Sequence, residues 1–99
     1  MKIAIASSGK SENSEISVAG RAPYYLIYEK TKLMKIIKNP FAVGGGGAGF
    51  GVAKMLIDEG VEMVISEKFG ENMINALKEK NIKRREISNL IIKEILGKI

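Results

Sequence analysis

Gly44-Gly45-Gly46-Gly47-Ala48-Gly49-Phe50-Gly51 runs directly into the apolar segment Val52 to Ile57, and it divides the chain into two halves with different rhythms. Before it, apolar residues alternate as they do along strands. After it, Ala48, Val52, Met55, Leu56 and Glu59 recur at helical spacing, and Gly60 stands where a left-handed residue ends a helix. The stretch therefore reads as a loop feeding a helix N-terminus. Such an end carries unpaired backbone N–H groups and the positive pole of the helix dipole, and glycines let an anion approach the backbone closely. The alternative reading is a connector whose glycines bind nothing.

Upstream of the glycines, Lys2-Ile3-Ala4-Ile5-Ala6 alternates long and small apolar side chains, which predicts a buried first strand opening into Ser7-Ser8-Gly9-Lys10. The segment from Ser7 to about Gly20 is polar and aperiodic, the mark of a functional or mobile loop. Pro23 then precedes Tyr24 to Glu29, and a tight Lys30-Thr31-Lys32 turn leads to Leu33 to Lys38, an antiparallel hairpin. Asn39-Pro40 stops it, since proline lacks the donor N–H and restricts the residue before it.

Downstream, Val61 to Ser66 predicts a short strand, and Gly70-Glu71-Asn72 opens a helix through Met73, Ala76, Leu77 and Lys80, with Glu71 suited to its first turn. Ile82 to Ile87 predicts a further strand. Ser88 is placed to cap a last helix from Asn89 to Leu96, striped by Ile91 with Ile95 and Ile92 with Leu96. Strand–helix–strand–helix–strand implies parallel pairing with right-handed crossovers. The expected fold is α/β: a mixed sheet with an antiparallel hairpin first and about three helices on its faces.

Composition narrows the chemistry. At 99 residues, 45% hydrophobic and 27% charged, residues 1–99 form one domain with a single core. Cysteine and histidine are both absent, which excludes disulfides, thiolate ligands and the commonest metal ligand and general base. No apolar run reaches the roughly 18 residues that span a bilayer, and the N-terminal apolar run is short for a signal peptide, so a cytoplasmic protein without a membrane partner is expected. The net charge of +5 lies mostly in residues 1–50, partly as Lys30, Lys32, Lys35 and Lys38. Lysines alternating with apolar residues more often protect a strand edge than bind phosphates, and no interleaved aromatics favour a nucleic-acid partner.

Taken together, Met1-Lys2-Ile3-Ala4-Ile5-Ala6-Ser7-Ser8-Gly9, Gly20-Arg21-Ala22-Pro23-Tyr24-Tyr25, Asn39-Pro40 before the glycine-rich turn, Glu59 to Ile65 and Gly70-Glu71-Asn72 resemble the dinitrogenase iron–molybdenum cofactor biosynthesis proteins over about residues 1–87. The resemblance implies a ribonuclease-H-like three-layer fold with a mixed five-stranded sheet. It also implies a carrier of an anionic cargo, an iron–sulfur or iron–molybdenum cluster, working with a cofactor-assembly protein. Carrier members often have a histidine or cysteine near the segment matching Ser17-Val18-Ala19-Gly20-Arg21, and this chain has neither. A cluster would have to be held by carboxylates, Met sulfur or contacts outside its coordination sphere. Met55, Met63 and Met73 fall at core-like positions.

The candidate ligand site comprises Ser7, Ser8, Arg21, Gly45, Gly46, Gly47 and Ala48. Ser7 and Ser8 end the first strand, and ligand crevices in open α/β sheets lie at such ends. Arg21 offers a planar fork for phosphate, carboxylate or an anionic cluster; its alternative is an ion pair such as one with Glu15. Two other classes compete. Gly44-x-Gly46-x-x-Gly49 with Glu67 satisfies the letter of a dinucleotide fingerprint, although Asn39-Pro40 intervenes where a strand is required and no Walker A lysine follows Gly51. A regulatory module, monomeric or dimerising through a sheet edge or the last helix, is the third. No catalytic residues are assigned: Asp58 is the only aspartate, and Ser7, Ser8 and Ser66 have no histidine partner.

Overall fold

Five strands and three helices are seen in the computed structural model, which describes residues 1–43 and 48–99. They are β1 (Lys2–Ser7), β2 (Tyr24–Glu29), β3 (Lys32–Lys38), α1 (Ala48–Asp58), β4 (Met63–Ser66), α2 (Glu71–Glu79), β5 (Lys83–Glu86) and α3 (Ile92–Leu96). The sheet order is β3-β2-β1-β4-β5. β1 pairs antiparallel with β2 and parallel with β4, β2 pairs antiparallel with β3, and β4 pairs parallel with β5. This is the expected mixed sheet with its hairpin first, compatible with the ribonuclease-H-like arrangement.

The alternation along the central strands divides the core into two layers, one on each face of the sheet. On one face Ala4 and Ala6 of β1, Tyr25 and Ile27 of β2 and Val64 of β4 meet Val52, Ala53 and Leu56 of α1 and Met73 and Leu77 of α2. On the other, Ile3, Ile5, Leu26, Tyr28 and Ile65 meet Ile16 and Ile92, Ile95 and Leu96 of α3. Successive strand side chains point to opposite faces, so one sequence period fills both layers. The small alanines of β1 fall on the face that carries two helices, where the volume is already taken by Leu56, Met73 and Leu77. At the far end of α1, the Lys2 ammonium donates to Glu59 O at 3.0 Å, placing a cation on the carbonyl end of the helix.

Two expectations are revised. The last helix spans Ile92–Leu96 rather than starting at Asn89, and Ser88 does not cap it. Asn89 is left-handed (φ 60), and the Glu94 carboxylate accepts from Ile91 N–H at 3.0 Å. Ile92 N–H donates to Ser14 O at 2.9 Å and Lys93 N–H to Glu12 O at 2.7 Å. The first-turn donors of α3 are thus satisfied by the loop after β1. The same contacts pin that loop. Ser8 N–H bonds Glu15 O, Ser17 N–H bonds Ala6 O and Ala19 N–H bonds Lys68 O, all at 2.9 to 3.0 Å.

Candidate functional site

Both helices of the two-helix layer start at the same place. Ala19, Gly20 and Arg21 from the β1–β2 connection, Ala48 and Gly49 from the start of α1, and Gly70 to Met73 at the start of α2 line a cavity of about 350 Å³. It lies beyond the C-terminal end of β4, where Glu67 N–H bonds Ser17 O at 2.9 Å and the chain turns through Lys68 to Gly70 into α2. Gly49 makes this convergence possible. A Cβ there would sit 3.0 Å from Met73 N and 3.3 Å from Asn72 Cβ, so any side chain would wedge the two helix starts apart. Gly20, with φ +86, turns the connection onto α1, its missing Cβ lying 4.0 Å from Gly49 N.

The electrostatics of the cavity have one clear sign from the backbone and two opposed side chains. The N-cap of α2 is Gly70, which makes no side-chain cap hydrogen bond, so this helix start brings the positive dipole end to the cavity without a capping side chain at that position. Arg21 adds a guanidinium whose Nη1 also donates to Phe41 O at 3.2 Å. Glu71, in the first turn of α2, brings a carboxylate to the same wall and offsets part of that charge.

The loop bearing Arg21 is fixed from beneath. Asn39, 4% exposed, donates through Nδ2 to Gly20 O at 3.0 Å and Ala22 O at 2.9 Å, and its Oδ1 accepts from Phe41 N–H at 2.9 Å. The Tyr25 hydroxyl accepts from Gly20 N–H at 3.2 Å. Burial pushes the Tyr25 phenol up to about 12, the Gly20 hydrogen bond opposing it.

Of the residues singled out in the sequence, Arg21 and Ala48 share this cavity. Gly45, Gly46 and Gly47 lie outside the described residues. Ser7 and Ser8 do not line the cavity. Ser7 is fully buried, its Oγ donating to Gly9 O at 2.7 Å and accepting from Gly9 N–H at 3.2 Å, and Ser8 is exposed beside Glu15. Gly70, Glu71, Asn72 and Asn39 were not singled out as site residues. The glycine before an acidic helix start was visible, but nothing local shows that α2 begins against α1. For the dinucleotide pattern, β3 ends at Lys38, and residues 39–43 carry no strand into the glycines. Glu67 lines a different cavity, with Glu15, Ile91 and Glu94.

The residues present suit an anionic ligand held by hydrogen bonds and field, and do not suit one needing thiolate or imidazole ligands, because the chain has no Cys and no His. Among the described residues, no group of three or more Asp or Glu is placed to hold a metal ion. No described helix is long and apolar enough to cross a membrane.

Fold and site together define a small three-layer α/β protein with a cavity at the helix starts. The chain belongs to the dinitrogenase iron-molybdenum cofactor family, whose model matches residues 1–99. Among solved structures it is similar to a provisionally named NifB protein from Thermotoga, with 27% identity, 97% of this chain and 84% of that one covered, and a TM-score of 0.82. It also shares the fold of the apo orange protein from Desulfovibrio gigas, with 19% identity, 98% and 84% coverage and a TM-score of 0.90. Among curated proteins, none matches the sequence significantly.

Proposed function

We propose that this chain is a non-catalytic binding or carrier protein of the iron–molybdenum cofactor family that holds an anionic ligand where α1 and α2 begin. The observation that carries the reading is the convergence of two helix N-termini and Arg21 on one cavity of about 350 Å³. Family membership supports a metal cluster as cargo, and the absence of Cys and His makes the grip one of N–H and guanidinium donors onto the cluster's outer atoms. Such a hold suits a carrier, since release then breaks hydrogen bonds rather than metal–ligand bonds. The candidate residues are Arg21, Ala48 and the first turn of α2, with Gly45, Gly46 and Gly47 as the sequence-level extension.

The test is anaerobic titration with an iron–sulfur or molybdenum-containing cofactor precursor, read by visible absorption and native mass, with a phosphate-bearing nucleotide as control. Stoichiometric uptake is expected, weakened about tenfold by Arg21→Ala, since a hydrogen bond to a charged group contributes about 1.5–3 kcal/mol. Glu71→Gln should tighten it severalfold by removing the opposing carboxylate. Uptake unchanged in both variants would place the ligand elsewhere. Uptake of nucleotide alone would make the ligand a phosphate.

A further inference from the structure

We propose that the free edge of the sheet at β3, with the segment that follows it, docks an acidic extended segment of a partner protein as a sixth strand. Among the described residues β3 pairs with β2 alone, so its outer backbone groups offer a template for a further strand. Its lysines blunt the edge only in part, because apolar residues stand between them. Leu33 and Ile36 stand opposite Tyr28 and Leu26, on the α3 side of the sheet, yet remain 42% and 40% exposed. Of nine exposed large hydrophobic residues among those described, five (Leu33, Met34, Ile36, Phe41 and Val43) fall within residues 33–43. Leu33 and Ile36 share the α3 face of the edge, whereas the Phe41 ring lies against Gly51 of α1, so the apolar strip open to an added strand is Leu33 with Ile36.

Charge selects the partner. Residues 30–43 hold four lysines and no acidic residue. Lys35 is engaged by Glu59 at 2.9 Å, and Lys30, Lys32 and Lys38 flank the apolar strip. A second copy fits badly: β3 against β3 sets lysine on lysine, and the other edge, β5, reads Lys83-Arg84-Arg85-Glu86 with no apolar residue. An acidic segment alternating with valine or isoleucine matches both features. The strip also leads to the ligand cavity. Beyond Lys38, a groove of about 450 Å³ is lined by Pro23, Tyr24, Pro40, Val43 and Arg21, and Arg21 lines the cavity at the helix starts as well. A partner seated on β3 therefore reaches the residue proposed to hold the ligand, although docking itself needs no ligand.

The test uses apo, isotope-labelled protein and a capped seven-residue peptide alternating glutamate with valine and isoleucine, at about 0.15 M salt so that long-range attraction is screened. Binding should shift the amides of residues 32–43 and slow hydrogen exchange in β3. The lysine counterpart of the peptide should bind at least tenfold more weakly, as should the acidic peptide toward Lys38→Glu and toward Leu33→Ser/Ile36→Ser, whose amide spectra verify an intact fold. A peptide N-methylated on alternate backbone nitrogens should fail if a strand is added. No binding, equal binding of the methylated peptide, shifts confined to Lys83–Glu86, or a concentration-dependent dimer that protects β3 would each overturn the proposal. The cluster titration reads a different ligand, so the two proposals fail independently.

Discussion

Asn39 holds three backbone groups at once, Gly20 O, Ala22 O and Phe41 N–H, by donating to two of them and accepting from the third. Asn39→Ala leaves these groups without the side-chain amide in a buried setting, so a destabilisation on the order of 3 kcal/mol is expected by denaturant unfolding. It should also loosen the Arg21 loop and weaken ligand uptake in the protein that remains folded. Asn39→Asp discriminates further, because a carboxylate accepts from Phe41 N–H but cannot donate to the two carbonyls. Tyr25 holds the same loop through Gly20 N–H, and its phenol titrates at about 12 when folded against an ordinary value near 10. Between those values the unfolded chain loses the proton first, so stability is intact below pH 10 and falls as pH rises toward 12. The loss amounts to roughly 2–3 kcal/mol. Denaturant midpoints at pH 9 and 11 should diverge in the native protein more than in Tyr25→Phe; an equal divergence would assign the slope to other groups, such as Tyr28, which burial and then Glu12 also push upward.

At the scale of elements, the crossing of α1 and α2 gives a paired test of packing against propensity. Gly49→Ala must displace the Met73 backbone, and it should cost about 1–3 kcal/mol and narrow the ligand cavity. At Gly51 the atoms nearest to an added Cβ belong to the far end of the Phe41 ring, a side chain that is 36% exposed. Alanine gains up to about 1 kcal/mol of helix propensity over glycine, so Gly51→Ala should be neutral or stabilising in thermal melts. Equal costs for the two would show that the helix starts do not touch as described. These elements were largely legible beforehand. Alternation of Ile3 and Ile5 with Ala4 and Ala6 announces a strand buried on both faces, and the spacing of Val52 and Leu56 announces α1. What local pattern does not carry is a partner distant in the chain. The start of α3 is set by Ser14 O and Glu12 O rather than by Ser88, and the cavity is completed by Gly70 and Glu71, whose approach to α1 depends on the sheet bringing two crossovers side by side. Arg21 and Ala48 were visible as candidates because chemistry and glycine content mark them. Asn39 looked only like a strand stop, since a buried amide gripping two loops is a tertiary fact.

For the whole molecule, the proposed site joins three segments that the chain visits far apart: the β1–β2 connection, the start of α1 and the start of α2. A ligand bridging them stabilises the global fold and not one fraying helix end, because unfolding any of the three would break its contacts. At a free ligand concentration a hundredfold above Kd, binding adds about 2.7 kcal/mol. For a domain of this size that corresponds to a rise in Tm of roughly 10–20 °C. Arg21→Ala, with affinity reduced tenfold, forfeits about 1.4 kcal/mol at the same concentration, so its rise should be roughly half as large. Hydrogen exchange in the loaded protein should slow in Ala19–Arg21, α1 and α2 together. Unequal protection, with only one helix slowed, would reduce the site to a single helix end. A Tm rise of the same size in Arg21→Ala, abolished by about 0.5 M salt, would instead assign the anion to the basic sheet edges at β3 and β5, whose exposed charges are easily screened.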